Sequence, residues 1–389
     1  MRRFLCIVMM LMFVLCSLLS VDAMAQETVK IGFITPLTGF AAADGYSSLE
    51  SAKLAVDYVN EHGGINGKKL ELISYDDGCQ PDQASALTRK LIENDKVAVV
   101  ISGSYSSPSR AAAVICQQAK VPFTSTYAVH PSIVEAGEYC HRIGMAAPIQ
   151  GRVGGYFAAR ELGAKRIALL IMNNDFGVSL AEAFKETALK LGAEIVYEKK
   201  YPLGETEFRS YLNAIKAADP DLLYAPGYYN EAANIVSQAR EVGLRCWLMG
   251  DEGYDSPKFI ELAKTAANGV FITTDLNRDS DRPMTRYFLE KYKERTNIDA
   301  DMVGASGFDA VMLVSHILNK VGTKADDIIR YWDTIENFED CATGPIIAFQ
   351  ERSAIRPMDI QIVLNNQFRY FYRYYEPEII YLNPPSGGK

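Results

Sequence analysis

The stretch VAVVISGSYSSPSRAAAVICQQAKVPFTSTYAVHP, residues 97–131, decides the fold. Its first five residues are a short β-branched run, the pattern of a strand buried on both faces. A small polar loop follows, Ser102 to Ser107. Pro108 then stands where a helix would start, with Ser107 as the expected N-cap; proline suits that place because its N–H would be unpaired anyway. Residues 111–119 continue the helix. A second buried strand at 121–124 ends in another hydroxyl-bearing loop, Ser125, Thr126 and Tyr127. Two strands would then end at one sheet edge, with a helix N-terminus aimed into the crevice between their loops. Such a terminus accepts an anion without a cationic side chain. In open α/β sheets, ligands bind in that crevice. An ordinary, well-capped βα connection would read the same way.

The flanking sequence repeats the unit. Residues 29–35 read as a strand and 36–45 as a Gly/Ala/Thr-rich loop. Leu49, Ala52, Ala55, Val56 and Val59 recur at helical spacing and predict an amphipathic helix over 47–61. Gly63 and Gly64 stop it, a strand is expected at 69–75, and a helix at 81–94. This βαβα alternation runs to about Gly144 and implies a parallel sheet with right-handed crossovers. It then restarts, with helices expected at 149–162, 178–191, 208–217 and 230–242 and strands at 166–172, 194–199, 221–225 and 245–249. Helices at 283–296, 302–321 and 325–336 come next. Residues 359–365 and 367–375 flank Asn366 as an antiparallel hairpin. The reading is α/β: two doubly wound parallel-sheet lobes with a cleft between them, a plan that suits a hinged binding protein and several enzymes alike.

Residues 1–25 read as a cleavable export signal. Arg2 and Arg3 form its positive start, residues 4–19 its apolar core, and Ala23-Met24-Ala25 its cleavage site. Export implies a periplasmic location, and no later stretch reads as a membrane span. The 48 acidic residues outnumber the 40 basic ones, a net charge of −8, and no basic face suggests nucleic acid as a partner. Cys79, Cys116, Cys140, Cys246 and Cys341 follow the signal, an odd number in an oxidising compartment. One bridge among Cys79, Cys116 and Cys140 is expected, its pairing open.

Catalytic signatures are missing from the sequence. There is no G-x-S-x-G, and Gly67-Lys68-Lys69 is no phosphate loop, because position 62 is His62 and no Ser or Thr follows the lysine. His62, His130, His141 and His316 show no metal spacing, though His130 adjoins the expected site. Asp76 and Asp77, at a strand end before Pro81, are expected to cap the next helix. The reading is a non-enzyme with no cofactor or metal.

Several segments then carry a resemblance: IGFITPLTG (31–39), VNEHGGINGKKLELISYDDGCQP (59–81), GSYSSPS (103–109), LYAPGYYNEAANIVSQAREVGL (223–244), MGDEG (249–253) and ATGPIIAF (342–349). Their order and spacing resemble the periplasmic solute-binding proteins of ABC transporters for branched-chain amino acids. The resemblance implies the type I periplasmic binding fold, with a three-strand hinge. Lobe 1 would be residues 26–146 plus 275–345, lobe 2 residues 147–274 plus 346–375, and the tail 376–389. It implies that Ser106, with N–H groups near Ser107, holds a ligand carboxylate. Glu252 and the Tyr127 carbonyl would hold the ammonium. Tyr105, Phe176, Tyr228 and Tyr254 would wall the side-chain pocket. Three positions depart from the family by losing hydroxyls: Val129 replaces a threonine, and Phe176 and Asp44 replace tyrosines. The expected protein is a monomer that captures a small branched-chain or aliphatic amino acid and delivers it to an inner-membrane ABC permease. An amide, a urea derivative, an aromatic acid, or a sensory role are the alternatives.

Overall fold

The computed structural model describes residues 28–383; the expected export signal and the last six residues lie outside them. Strand β1 (Thr28–Thr35) is an interior strand of the first sheet, one place from its edge. It is followed by α1 (Ala42–Glu61), β2 (Lys69–Asp76), α2 (Pro81–Lys90), β3 (Val99–Ser102), α3 (Ser106–Ala119), β4 (Phe123–Ser125), α4 (Ser132–Glu135) and β5 (Cys140–Arg142). These strands pair in the order β2-β1-β3-β4-β5, all parallel. The β-branched run that opened the argument is β3. Its four residues are wholly buried, as a central parallel strand covered on both faces should be.

The second sheet is built from α5 (Ala147–Tyr156), β6 (Arg166–Met172), α6 (Asp175–Lys190), β7 (Glu194–Tyr201), α7 (Arg209–Ala217), β8 (Leu222–Tyr224), α8 (Tyr229–Glu241), β9 (Trp247–Gly250), α9 (Pro257–Ala263) and β10 (Val270–Thr274). Then the chain returns to the first lobe with α10 (Pro283–Thr296), α11 (Met302–Val321) and α12 (Ala325–Trp332); α11 lies along α1. By length and composition α11 could cross a membrane, contrary to expectation, but it is the buried core helix of this lobe.

The third crossing differs from expectation. Strands β11 (Ala348–Gln350) and β12 (Ser353–Ile355) join the first sheet, β12 beside β5 and β11 at the edge. The chain changes lobe only at Arg356-Pro357, after which β13 (Met358–Leu364) runs antiparallel to β10. Residues 346–355 therefore belong to lobe 1. Arg356 is buried at this crossing, where its guanidinium is held by Asp275 at 3.4 Å and Asp309 at 3.6 Å. Strand β14 (Gln367–Tyr374) completes the expected hairpin. Its turn residues Asn365 and Asn366 take φ of 52° and 58°, the left-handed backbone that asparagine tolerates. The expected tail is partly structured, since α13 (Pro377–Ile380) packs Ile379 and Ile380 against α5.

Three local expectations give way. The five cysteines are all free; Cys140 donates its thiol to the Ala113 carbonyl instead of bridging. Asp76 and Asp77 do not cap α2, whose N-cap is Gln80. They pin the turn before it, Asp76 accepting from the amides of Leu37 and Gly78 and Asp77 from that of Cys79. Helix α1 starts five residues before position 47, at Ala42, and takes in Gly45, where a Cβ would lie 1.6 Å from the Pro36 carbonyl oxygen.

Candidate functional site

Three strand ends converge on the cleft. From lobe 1, β3 leads through Gly103 to Tyr105 and the first turn of α3. Gly103 admits no side chain, because a Cβ would meet the Phe33 ring at 2.6 Å. Helix α3 begins at Ser106, so its N-cap is Tyr105 and not Ser107, and no side chain caps it. The amides of Ser106 and Ser107 therefore have no intrahelical partner. From β4 comes Tyr127, whose hydroxyl donates to the Gly103 carbonyl at 2.9 Å and ties the two loops together.

From lobe 2, β9 ends at Gly250, and Asp251 folds the next turn. Its carboxylate accepts from Gly253 N at 2.8 Å and from Gly227 N at 3.1 Å. Gly253 is required, since a Cβ would stand 2.2 Å from the Gly227 carbonyl oxygen. This turn aims Glu252 into the cleft. Gln150 of α5 donates to Glu252 Oε2 at 2.6 Å and fixes its direction.

Asp44, Tyr105, Ser106, Tyr127, Phe176, Tyr228 and Glu252 line one cavity between the lobes, with Ala128, Gly253, Met302 and Val303 completing it. The space left for the centre of a water-sized molecule is only about 10 Å³, roughly one such sphere, so the lobes stand closed on each other here. The aromatic walls close over it: Tyr105 of lobe 1 stacks on Tyr228 of lobe 2 at 3.9 Å, and Phe176 stacks on Tyr228 at 5.0 Å. Outside the cavity, Asp175 of α6 accepts from Ser107 Oγ and pairs with Arg110, both at 3.2 Å.

The polar side chains facing the cavity are unusual. Ser106 and Glu252 are each 2% exposed and Asp44 is 3% exposed. Ser106 Oγ, Glu252 Oε1 and Asp44 Oδ1 are buried and have no hydrogen-bond partner in the protein. Buried polar atoms are normally paired, so each orphan asks for an explanation. Burial pushes the Glu252 carboxyl well above the usual glutamate range, helped by Asp275 and Asp251 nearby. Burial likewise pushes Asp44 up to about 8, with Asp301 adding to the rise and the Tyr105 hydrogen bond opposing it. An ammonium brought beside either acid would favour its charged form again. No lysine, arginine or histidine lines the cavity among the described residues.

Of the eight expected site residues, Tyr105, Ser106, Tyr127, Phe176, Tyr228 and Glu252 meet at this cavity; Ser107 and Val129 do not line it. Ser107 turns to Asp175, as described. Val129 is wholly buried, and its carbonyl accepts from Arg142 at 2.6 Å. Two further candidates also fall away: Tyr254 is buried with its hydroxyl on the Ala225 carbonyl, and His130 turns to Ser132. Sequence reasoning missed Gln150, whose role depends on a contact 102 residues away in the chain. Met302 and Val303 were legible in principle, because Asp301 is an N-cap signal directly before an apolar helix.

The chain is similar to known proteins over most of its length. A leucine-, isoleucine-, valine-, threonine- and alanine-binding protein of Pseudomonas aeruginosa is 27% identical over 341 residues, 87% of this chain and 90% of its own length. A branched-chain amino-acid transporter substrate-binding protein from Streptococcus pneumoniae, solved with isoleucine, superposes with a TM-score of 0.82 at 26% identity, covering 89% of this chain and 99% of that one. A solute-binding protein of an ABC transporter from Rhodopseudomonas palustris, solved with 3,4-dihydroxybenzoic acid, gives 0.80 at 27% identity, covering 89% and 97%. The profile of the periplasmic binding protein family matches residues 28–366. That match spans both lobes, and so the chain belongs to the periplasmic binding protein family and has its type I fold.

Proposed function

We propose that this protein is an exported solute-binding protein that captures an α-amino acid between its lobes and hands it to an ABC permease. One observation carries the reading: Ser106 of lobe 1 and Glu252 of lobe 2 put unpartnered, buried polar atoms into one small cavity. The Ser106 hydroxyl and the free amides at the start of α3 suit a carboxylate. Glu252 suits an ammonium, since a charge-assisted bond is the strong way to hold it. Neither half is a site alone, so the ligand favours the closed form over the open one. Capture needs no bond to be made or broken. The relatives that bind leucine, isoleucine and valine support an amino acid, and the expected export signal supports a periplasmic location.

An aromatic acid is the second reading, favoured by the four aromatic rings around the cavity and by the dihydroxybenzoate-bound neighbour. Two buried acids oppose it, because a benzoate brings a second negative charge and no ammonium. A thermal-shift screen separates the readings. Ligand at a hundred times Kd stabilises the folded state by about 2.7 kcal/mol, which raises the melting temperature by several degrees. At least one α-amino acid is expected to do so, and benzoates are expected to do nothing. A response to benzoates alone would reverse the assignment.

A further inference from the structure

Asp44 has no place in the amino-acid reading as given so far. It sits in the first turn of α1, and Gly45, packed against the Pro36 carbonyl, fixes the backbone that carries it. One carboxylate oxygen accepts from Tyr105 at 2.7 Å. The other is buried with no partner, and Asp44 is one of the residues that line the cavity. One turn further along α1, Ser48 Oγ is likewise buried without a hydrogen-bond partner. Ser47 on the same helix bonds Asp301, which also takes the Gly304 amide. The charged groups that act on Asp44 are Asp301 and Asp255, both acids. The cavity therefore holds two acids, one from each lobe, and one α-ammonium answers only Glu252. Tyr105, which bonds Asp44, packs edge to face with Tyr127 and is stacked on Tyr228.

We propose that Asp44 is a specificity-determining contact, and that the ligand is an amino acid whose side chain carries its own nitrogen donor, an ammonium or an amide, rather than a purely aliphatic one. This rests on the cavity being an amino-acid site. An aliphatic side chain would leave Asp44 Oδ1 buried and unpaired in the complex, and sites built to bond a donor reject the analogue lacking it.

The test is calorimetric titration of the whole protein with three amino acids of nearly equal size: L-leucine, L-asparagine and L-2,4-diaminobutyrate. Asparagine or diaminobutyrate is expected to bind at least tenfold tighter than leucine, and which of the two binds tighter tells amide from ammonium. Asp44→Asn is expected to weaken diaminobutyrate at least tenfold and asparagine at least threefold, since Asn keeps an acceptor oxygen, with leucine held within threefold. The melting temperature of the ligand-free variant checks its folding, and the wild-type ranking decides the matter if the variant does not fold. Leucine binding tightest, or Asp44→Asn weakening all three alike, would overturn the Asp44 contact while leaving the amino-acid reading in place. Binding of none of the three would overturn both.

Discussion

Glu252→Gln is expected to weaken amino-acid binding at least a hundredfold. A zwitterion entering a closed cleft loses water at both ends, at several kcal/mol per ion. The carboxylate end meets amides at the start of α3, but backbone dipoles at that edge offer the ammonium nothing comparable. Glu252 is buried on a turn pinned by Asp251, with one oxygen on Gln150 and the other free toward the cavity. The glutamine variant keeps size, and its side-chain oxygen still accepts from Gln150. What goes is the charge, and leaving an ion unpaired in a buried site costs about 3–5 kcal/mol. The ligand-free variant should be as stable as the parent or more so, because burial and neighbouring acids already disfavour the Glu252 charge. Titration calorimetry reads the affinity and a melting curve reads the stability. Equal affinity in variant and parent would mean that no ammonium sits at Glu252.

Ser106→Ala is expected to cost about tenfold to a hundredfold. A hydrogen bond to a charged group contributes roughly 1.5–3 kcal/mol. The amides of Ser106 and Ser107 remain, as does the helix end, so the site is weakened and not abolished. The Ser106 hydroxyl has no partner in the protein, so its removal leaves nothing unsatisfied and ligand-free stability should hardly change. If calorimetry shows unchanged affinity, the carboxylate lies elsewhere.

Much of this architecture was legible because it is written in local patterns. Helix α11 starts and ends at the residues its apolar periodicity indicates, 302 and 321. The Asn365-Asn366 turn announced its hairpin. What escaped the sequence depends on long-range contact. Strands β5, β11 and β12 are three residues each, too short to show a period, and only their pairing makes them strands. The lobe boundary moved to Arg356 for the same reason. Ser107 looked like an N-cap by residue type, yet the helix begins one residue before it and its hydroxyl crosses the cleft to Asp175. Asp44 was legible as a lost tyrosine hydroxyl. That it brings a buried, unpartnered carboxylate into the cavity could be seen only once α1, α3 and α11 were placed together.

The central claim is that the two lobes close on an amino acid held by both. Small-angle scattering with and without a saturating amino acid, chosen as the one that raises the melting temperature most, tests it most directly. The radius of gyration is expected to fall on ligand addition, because Ser106 and Glu252 reach one ligand only when the lobes come together. An identical scattering profile at saturating ligand would contradict the account.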